Sequence, residues 1–275
     1  MSHAFGLIVV GDEILSGKRA DKHLPKVIEL LAARGLPLAY AEYVGDDPAR
    51  ITATLERAFA AARTSGDVVF STGGIGATPD DHTRQCAAKA LGVELALHPA
   101  ARVLIEGRMR DLAKEQGTVY TPDNPDNIHR LNMGVFPLGA EIIPNPYNKI
   151  PGFSCKAGEG ALHFVPGFPV MAWPMIDWVL DHCYADRHQK SATLEKSIIV
   201  LGAMEAALTP LMLLIEAAHA GVKVFSLPNV DHPEFGRHIE LGVKGSPDAV
   251  NDAYCALLNG LHRFDAKLGP ELVRQ

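Results

Sequence analysis

The sequence lacks most of the groupings that announce common chemistries. Its four cysteines, Cys86, Cys155, Cys183 and Cys255, are scattered, with no CxxC pair and no metal-ligand spacing. That argues against a disulfide framework and for buried free thiols in a reducing cytoplasm. None of the histidines forms an HxH or HExxH group, which argues against a histidine-based metal site. His129, His163, His219 and His262 read instead as surface or core residues. No GxSxG elbow and no Walker lysine occur, so serine-hydrolase and P-loop readings drop out. There is no Lys/Arg run, and the net charge of −6 gives no general attraction to nucleic acid or to an anionic membrane. No apolar run approaches the ~20 residues of a membrane span. The first apolar run, Phe5 to Val10, stops at Gly11-Asp12-Glu13, unlike a leader segment. A cytoplasmic protein is expected. No internal repeat or low-complexity segment is present.

What remains is an ordinary globular composition, 47% hydrophobic and 21% charged over 275 residues, enough for one large domain or two modest ones. The first half alternates strand-like and helix-like stretches. Phe5–Val10, Leu36–Val44 and Asp67–Phe70 read as strands, with Val93–Leu97 a further extended piece. Leu24, Val27, Ile28 and Leu31 repeat at helical spacing and end at Gly35. Pro48 opens a helix with Ile51, Leu55, Phe59 and Ala62 on one face and Asp47 as its N-cap. Arg84–Leu91 and Pro99–Glu115 also read as helices, the latter with Val103, Leu104 and Leu112 facing in. Such alternation predicts an α/β three-layer sandwich, a mostly parallel sheet covered on both faces.

Between Gly117 and Phe153 the texture becomes loop-like, notably Thr121–Asn127 and Asn145–Gly152. Glu141–Ile143 and Leu162–Val165 read as strands, and a helix holding Met171, Met175, Trp178 and Val179 follows Pro169. Met171, Trp173, Met175 and Trp178 form core or interface on this reading. Arg187–Ser191 reads as a linker. Beyond it, the order βαββα predicts a small α+β domain. The predicted domains are residues 1–185 and 192–265.

Three loops fall at predicted strand ends, where open α/β sheets bind ligands. Ser71-Thr72-Gly73-Gly74-Ile75-Gly76-Ala77-Thr78-Pro79-Asp80-Asp81-His82-Thr83 joins a strand end to a helix start. Its glycines let backbone N–H groups converge on an anion. Its paired carboxylates point to a bridging metal ion, a donor-rich ligand edge, or catalysis, since acids repel a bare phosphate. Gly45-Asp46-Asp47-Pro48 and Gly11-Asp12-Glu13-Ile14-Leu15-Ser16-Gly17 with Asp21 repeat the combination of glycine and acid. Each alone is also what a turn and helix cap look like, Asp81 included as a cap. Converging, they suit a pterin or purine amino edge or a metal-bridged pyrophosphate.

In this order the loops resemble the molybdopterin-binding domain shared by MogA, MoaB and the N-terminal part of CinA. The resemblance is carried by Gly11 to Gly17 with Asp21, Gly45-Asp46, Thr72 to Gly76 with Thr78, Asp80-Asp81 and Thr83. Pro137 to Glu141, Asn145-Pro146, Pro151-Gly152-Phe153 and Pro166-Gly167-Phe168-Pro169 continue it over about residues 4–180. The asparagine-proline segment and the following small domain are similar to CinA rather than MogA. No residues remain for the C-terminal deamidase domain of long CinA proteins, so nicotinamide-nucleotide deamidation is not expected. His23, Met133-Gly134, Lys149-Ile150 and Val170-Met171 depart from the family's usual residues and border the ligand loops.

The resemblance implies a MogA/MoaB-like first domain whose site takes a phosphate-bearing small molecule, either molybdopterin or an ADP-ribose-like nucleotide. It implies Asp46, Asp80 and Asp81 as catalytic groups, with Asp80 and Asp81 on a divalent cation such as Mg²⁺. Gly11, Asp12, Glu13, Ser16, Gly17, Asp21, Thr72, Gly73, Gly74, Gly76, Thr78, Asn145, Pro166 and Gly167 would bind the ligand and its phosphate. The reaction implied is metal-dependent cleavage of a dinucleotide pyrophosphate. A protein that only holds the ligand, and an ATP-dependent molybdopterin adenylyltransferase, are the alternatives. A homo-oligomer is expected, with no nucleic-acid or membrane partner.

Overall fold

A computed structural model describes residues 3–189, 194–264 and 266–274. The chain divides into two compact units, Met1–His188 and Gln189–Gln275. Of the expected linker Arg187–Ser191, Arg187 closes a short 3-10 turn, while Lys190 and Ser191 lie outside the described residues.

The first unit begins β1 (Phe5–Val10), α1 (Asp12–Leu15), α2 (His23–Ala32), β2 (Leu38–Val44), α3 (Pro48–Ser65), β3 (Val68–Thr72) and α4 (Thr83–Leu91). It continues β4 (Leu95–Leu97), α5 (Pro99–Glu115), α6 (Pro125–Leu131), β5 (Val135–Pro137), β6 (Glu141–Ile143), β7 (Gly152–Ala157), β8 (Gly160–Val165) and α7 (Pro169–Cys183). Six strands form one sheet in the order β2-β1-β3-β8-β7-β6. The first four run parallel, and β7 and β6 are added antiparallel. This is the expected mostly parallel sandwich.

Two cores follow from the alternation of side chains along each strand. Ile8, Val10, Val69 and Leu162 face a layer that includes Leu55, Phe59 and Ala62 of α3 and Ala87 of α4. Phe5, Leu7, Val9, Val68 and Phe70 face the opposite layer, built from Val27 and Leu31 of α2 and Met175, Ile176 and Val179 of α7. Both faces of β1 and β3 are therefore dry, which is why their sequences read as unbroken apolar runs. Phe153 stacks on Phe164 at 4.5 Å and on Phe136 at 4.7 Å in the first core.

Helix α3 shows how local signals place an element. Pro48 occupies its first turn, Asp47 accepts the Arg50 N–H at 2.8 Å, and Gly66 ends it at φ 72°. Helix α5 corrects one expectation. Its buried residues are Ala101, Ile105 and Met109, while Val103 is 66% exposed. The helix is turned so that its neighbours meet that narrower stripe. Helix α6 corrects another, because Thr121–Asn127 is not all loop. Asn124 accepts the Asp126 N–H at 2.9 Å and Pro125 starts the helix. The same Asn-Pro chemistry serves a turn or a helix start.

All four cysteines are free. Cys86 and Cys155 are buried as expected, but Cys183 and Cys255 are exposed. Both exposed thiols lie on helices, where a small apolar side chain is tolerated facing water. Trp173 and Trp178 pack half-buried against the α2–α7 core.

The second unit contains β9 (Leu194–Leu201), α8 (Glu205–Ala218), β10 (Lys223–His232), β11 (Gly236–Gly245), α9 (Pro247–Leu261) and β12 (Lys267–Arg274). Its antiparallel sheet runs β10-β11-β9-β12, with a core that joins Ile198, Val200, Leu241 and Val243 to Leu208, Ile215, Val250 and Leu257. Strand β12 extends the expected βαββα order by one element. It pairs with β9 across a register shift between Leu268 and Glu271, where Gly269-Pro270 sits. A proline is tolerated on an edge strand at such an irregularity.

Among the buried polar groups of the first unit, His163 is the most deeply enclosed titratable one. It lies wholly inside, between the Ser154 hydroxyl and the Tyr184 hydroxyl, each 2.7 Å from a ring nitrogen. Burial drives its pKa down to about 3. In the unfolded chain histidine protonates near pH ~6.5, so between these values the unfolded state binds the extra proton. The stability contributed by neutral His163 is thus complete above about pH 6.5 and is lost as pH falls toward 3. Urea unfolding followed by tryptophan fluorescence, which reports this unit through Trp173 and Trp178, should show the midpoint dropping below pH ~6.5. His163→Gln should be less stable at neutral pH and have a shallower drop. An equally steep drop in the variant would refute the assignment.

Candidate functional site

Parallel pairing brings the predicted loops together. Val10 of β1 pairs with Val44 of β2, Val9 pairs with Thr72 of β3, and Thr72 pairs with Val165 of β8. The four strands consequently end at one sheet edge. From that edge leave the segments containing Gly11–Gly17, Gly45–Asp47, Gly73–Asp81 and Pro166–Gly167. Strand β7 runs antiparallel to β8 and opposes Ile143 through Gly152, so the Asn145 loop leaves from the same edge. Every residue predicted for the site lies in these segments or, like Asp21 and Thr72, directly beside them.

The residues do different things there. Asp12 and Asp46 exchange hydrogen bonds. The Asp12 N–H donates to the Asp46 carboxylate at 2.9 Å, and the Asp46 N–H donates to the Asp12 carboxylate at 3.2 Å. This fastens the loop after β1 to the loop after β2, aided by the Gly11 N–H, which donates to the Val44 carbonyl. A Cβ at Gly45 would overlap the Asp12 carboxylate and displace it from that approach. The loop after β1 begins with the single turn α1, and Ser16 and Gly17 close it through backbone bonds to Asp12 and Ile14.

The glycine-rich loop folds back in the same way. The Gly73 N–H donates to the Val165 carbonyl and the Thr83 N–H to the Gly74 carbonyl, both at 3.0 Å. Gly73 sits at φ 97°, where a side chain would also meet the Val10 carbonyl oxygen. Asp81 does not cap α4. His82 occupies the N-cap without a side-chain bond, and Asp81 turns back to accept the Thr78 N–H at 2.8 Å and hydroxyl at 2.6 Å. The short span to Thr78 lets Asp81 close its own turn before α4 starts. Ser71, Thr72 and Thr83, which flank the loop, carry buried hydroxyls with no partner among the described residues. A buried polar atom is costly until something meets it, so these hydroxyls fit a polar ligand at this place.

The acids are electrically unequal. Burial raises the Asp46 carboxyl above its ordinary range. The Asp12 N–H opposes this, and the Asp12, Glu13 and Asp80 carboxylates raise it further. Asp80 is exposed and moves the other way, held down first by the nearby Thr78 hydroxyl, then by its own backbone N–H and by His82. By geometry that hydroxyl's hydrogen bond goes to Asp81. Among the described residues no three His, Cys, Asp or Glu groups come together as a ready metal site.

Two predicted residues are consumed by local structure. Asp21 accepts the N–H groups of His23 and Leu24 and the hydroxyl of Tyr43, starting α2 and pinning Tyr43. Asn145 donates to Asn148 and to the Ile150 carbonyl and accepts the Tyr147 N–H, so its amide is spent inside its own loop. Sequence reasoning missed Tyr43 and Arg84 as parts of the edge, while His23 was expected to border the loops. His23 reaches across to the Gly167 carbonyl at 3.0 Å. Arg84 is buried and bonds the Gly76 carbonyl. An arginine in the first helical turn, where the helix dipole disfavours positive charge, was the available signal for Arg84.

The fold and edge define an α/β protein with its ligand loops gathered at the carboxyl ends of a parallel sheet. The chain belongs to the family described as "Probable molybdopterin binding domain", which matches residues 6–184. It is 32% identical to a CinA-like protein of Anaeromyxobacter dehalogenans (strain 2CP-C) over 79% of this chain and 50% of that protein. It is 27% identical to a CinA-like protein of Geobacter sulfurreducens over 97% of this chain and 60% of the relative. The chain thus spans about half the length of the curated relatives it matches. The crystal structure of CinA from Thermoplasma acidophilum, titled as a protein with unknown function, superposes with a TM-score of 0.53 at 26% identity. That match covers 66% of this chain and 97% of the other.

Gly73→Ala should test how tightly the edge is built. A clash with backbone and a left-handed φ together should cost roughly 1–3 kcal/mol in urea unfolding of the first unit. A variant as stable as the natural chain would show that the loop can shift away from Val10.

Proposed function

We propose that the first unit binds a small molecule carrying phosphate, of the molybdopterin or nucleotide type, and cleaves the pyrophosphate of an ADP-ribose-like dinucleotide with a divalent cation. The observation that carries this reading is the gathering of Asp12, Glu13, Asp46 and Asp80 around a glycine-rich anion loop, felt in the raised Asp46 carboxyl. Carboxylates and phosphates share a site when a cation lies between them. The residues fit Mg²⁺ in its usual manner, held by one or two carboxylates plus ligand phosphates rather than by an all-protein cage. Asp80, with Asp12, would hold it, and when bound it supplies charge neutralisation at the phosphoryl oxygens.

The chain's own groups divide the remaining work. Backbone N–H groups of the loop from Gly74 to Gly76 position a phosphate, and the flanking hydroxyls of Thr72 and Thr83 donate or accept as the ligand requires. Asp46 takes the proton of the attacking water. The water oxygen bonds to phosphorus as the bridging P–O bond breaks, and ADP-ribose yields AMP and ribose 5-phosphate. A raised pKa makes Asp46 a better base than an ordinary carboxylate, while Asp80 stays ionised.

Incubation with ADP-ribose and Mg²⁺ should release AMP. Asp46→Asn should lower kcat by about 10²-fold or more. Asp81→Asn keeps an acceptor for Thr78 and should retain more than about a tenth of the activity, an effect passed through the loop. The acidic limb of the pH profile should lie above the usual carboxylate range and report Asp46. Binding without AMP release would reduce the protein to a ligand carrier, and ATP consumption only with molybdopterin would make it an adenylyltransferase.

A further inference from the structure

A cavity of about 320 Å³ lies along the Ala77–His82 side of the glycine-rich loop. Its polar lining includes Thr78, Asp81, His82, Arg84, Gln85 and His129. Arg84 is 5% exposed, yet its guanidinium donates only to neutral carbonyls, Gly76 at 2.7 Å and Asn132 at 2.5 Å. It forms no ion pair among the described residues. Buried cations are ordinarily paired with an acid, because desolvation is costly otherwise. Burial accordingly pulls the Arg84 pKa down, opposed only by the Asp81 charge at a distance. Asp81 is the single acid of the lining, and its Oδ2 is already taken by the Thr78 N–H and hydroxyl.

Other features add positive potential. Arg84 lies in the first turn of α4, at the positive end of that helix, which has no side-chain cap. His129 is held by its Nε2 on the Ala77 carbonyl at 2.9 Å, which leaves Nδ1 uncommitted. The planar, forked guanidinium is also the side chain best matched to phosphate oxygens.

We propose that this cavity is a second anion subsite, in which a phosphate group supplies the counter-ion that Arg84 lacks. The Thr78–Asp81 turn then lies between two anion positions, the glycine loop on one side and the Arg84 cavity on the other. A ligand with two linked phosphates would reach both. The linkage rests on the function proposed above; the cavity's unpaired charge does not.

The test uses the full chain and inorganic phosphate. Phosphate should shift the Arg84 Nε–H signal in the NMR spectrum in a saturable way. Gln85→Glu places a carboxylate in the lining, at an exposed position in the first turn of α4 where an acid favours the helix, so the fold is retained. The apparent Kd for phosphate at Arg84 should rise at least fivefold. Arg84→Lys, which keeps the charge but loses the fork, should also weaken phosphate binding measured by calorimetry. No saturable shift in the natural chain, or an unchanged Kd in Gln85→Glu, would overturn the proposal. If ADP-ribose is neither bound nor cut while phosphate binding stays sensitive to Gln85→Glu, the subsite stands and the pyrophosphatase reading falls.

Discussion

Because β1 pairs in parallel with both β2 and β3, and β3 in turn with β8, four chain reversals are forced onto one edge of the sheet. Each strand must then leave that edge through a loop that satisfies its own backbone groups without a neighbouring strand. The solutions found here are side chains and carbonyls from the adjacent loops. Asp46 serves the Asp12 N–H, Asp12 serves the Asp46 N–H, and Val165 serves the Gly73 N–H. This edge is therefore held by bonds between loops as well as within them. Displacing one should disturb its neighbours, which is how a sheet lends rigidity to residues that lie outside it.

The electrostatic consequence is a deliberate imbalance. Carboxylates collect at one side of the glycine-rich loop, where Asp12, Glu13 and Asp80 all push the Asp46 carboxyl upward. A buried arginine without an acid partner among the described residues sits on the other side. Either arrangement alone would cost folding free energy with no return. Moving the acids toward Arg84 would neutralise both, and the loop geometry prevents it by engaging Asp81 with Thr78 and Arg84 with Gly76 and Asn132. A negative pole that attracts a cation and a positive pole that attracts an anion suit a ligand that brings both, as a metal-bound phosphate ester does.

Much of this was legible in the sequence where local chemistry and tertiary demand agree. Helix α3 was readable because Asp47, Pro48 and Gly66 mark its ends and Ile51, Leu55 and Phe59 mark its face. The apolar runs of β1 and β3 were readable because both faces of those strands are buried. Reading failed where one local pattern serves two structures. Asn124-Pro125 starts a helix although Asn-Pro also starts turns, and β12 hides behind Gly269-Pro270. The phase of α5 was missed because Val103 is as apolar as the residues that do face inward. At the site, the loops could be named from glycine and acid content. The partner of each acid could not, since Asp12 and Asp46 are separated by 34 positions and meet only through the strand pairing.

Those partners are what narrow the chemistry. Acids at this edge are not interchangeable, because several have their oxygens committed before any ligand arrives. Asp47 caps α3, Asp21 starts α2 and holds Tyr43, and Asp81 closes the turn from Thr78. Their oxygens hold backbone and side-chain donors of the fold in place. Asp46 is different: it accepts one N–H through Oδ2, and burial raises its carboxyl above the ordinary range. Asp80 is exposed and favours the ionised state. Two neighbouring carboxyls pushed in opposite directions form the arrangement from which a proton acceptor and a permanent charge can be drawn. The structural acids supply the rigidity that keeps those two apart in role as well as in place.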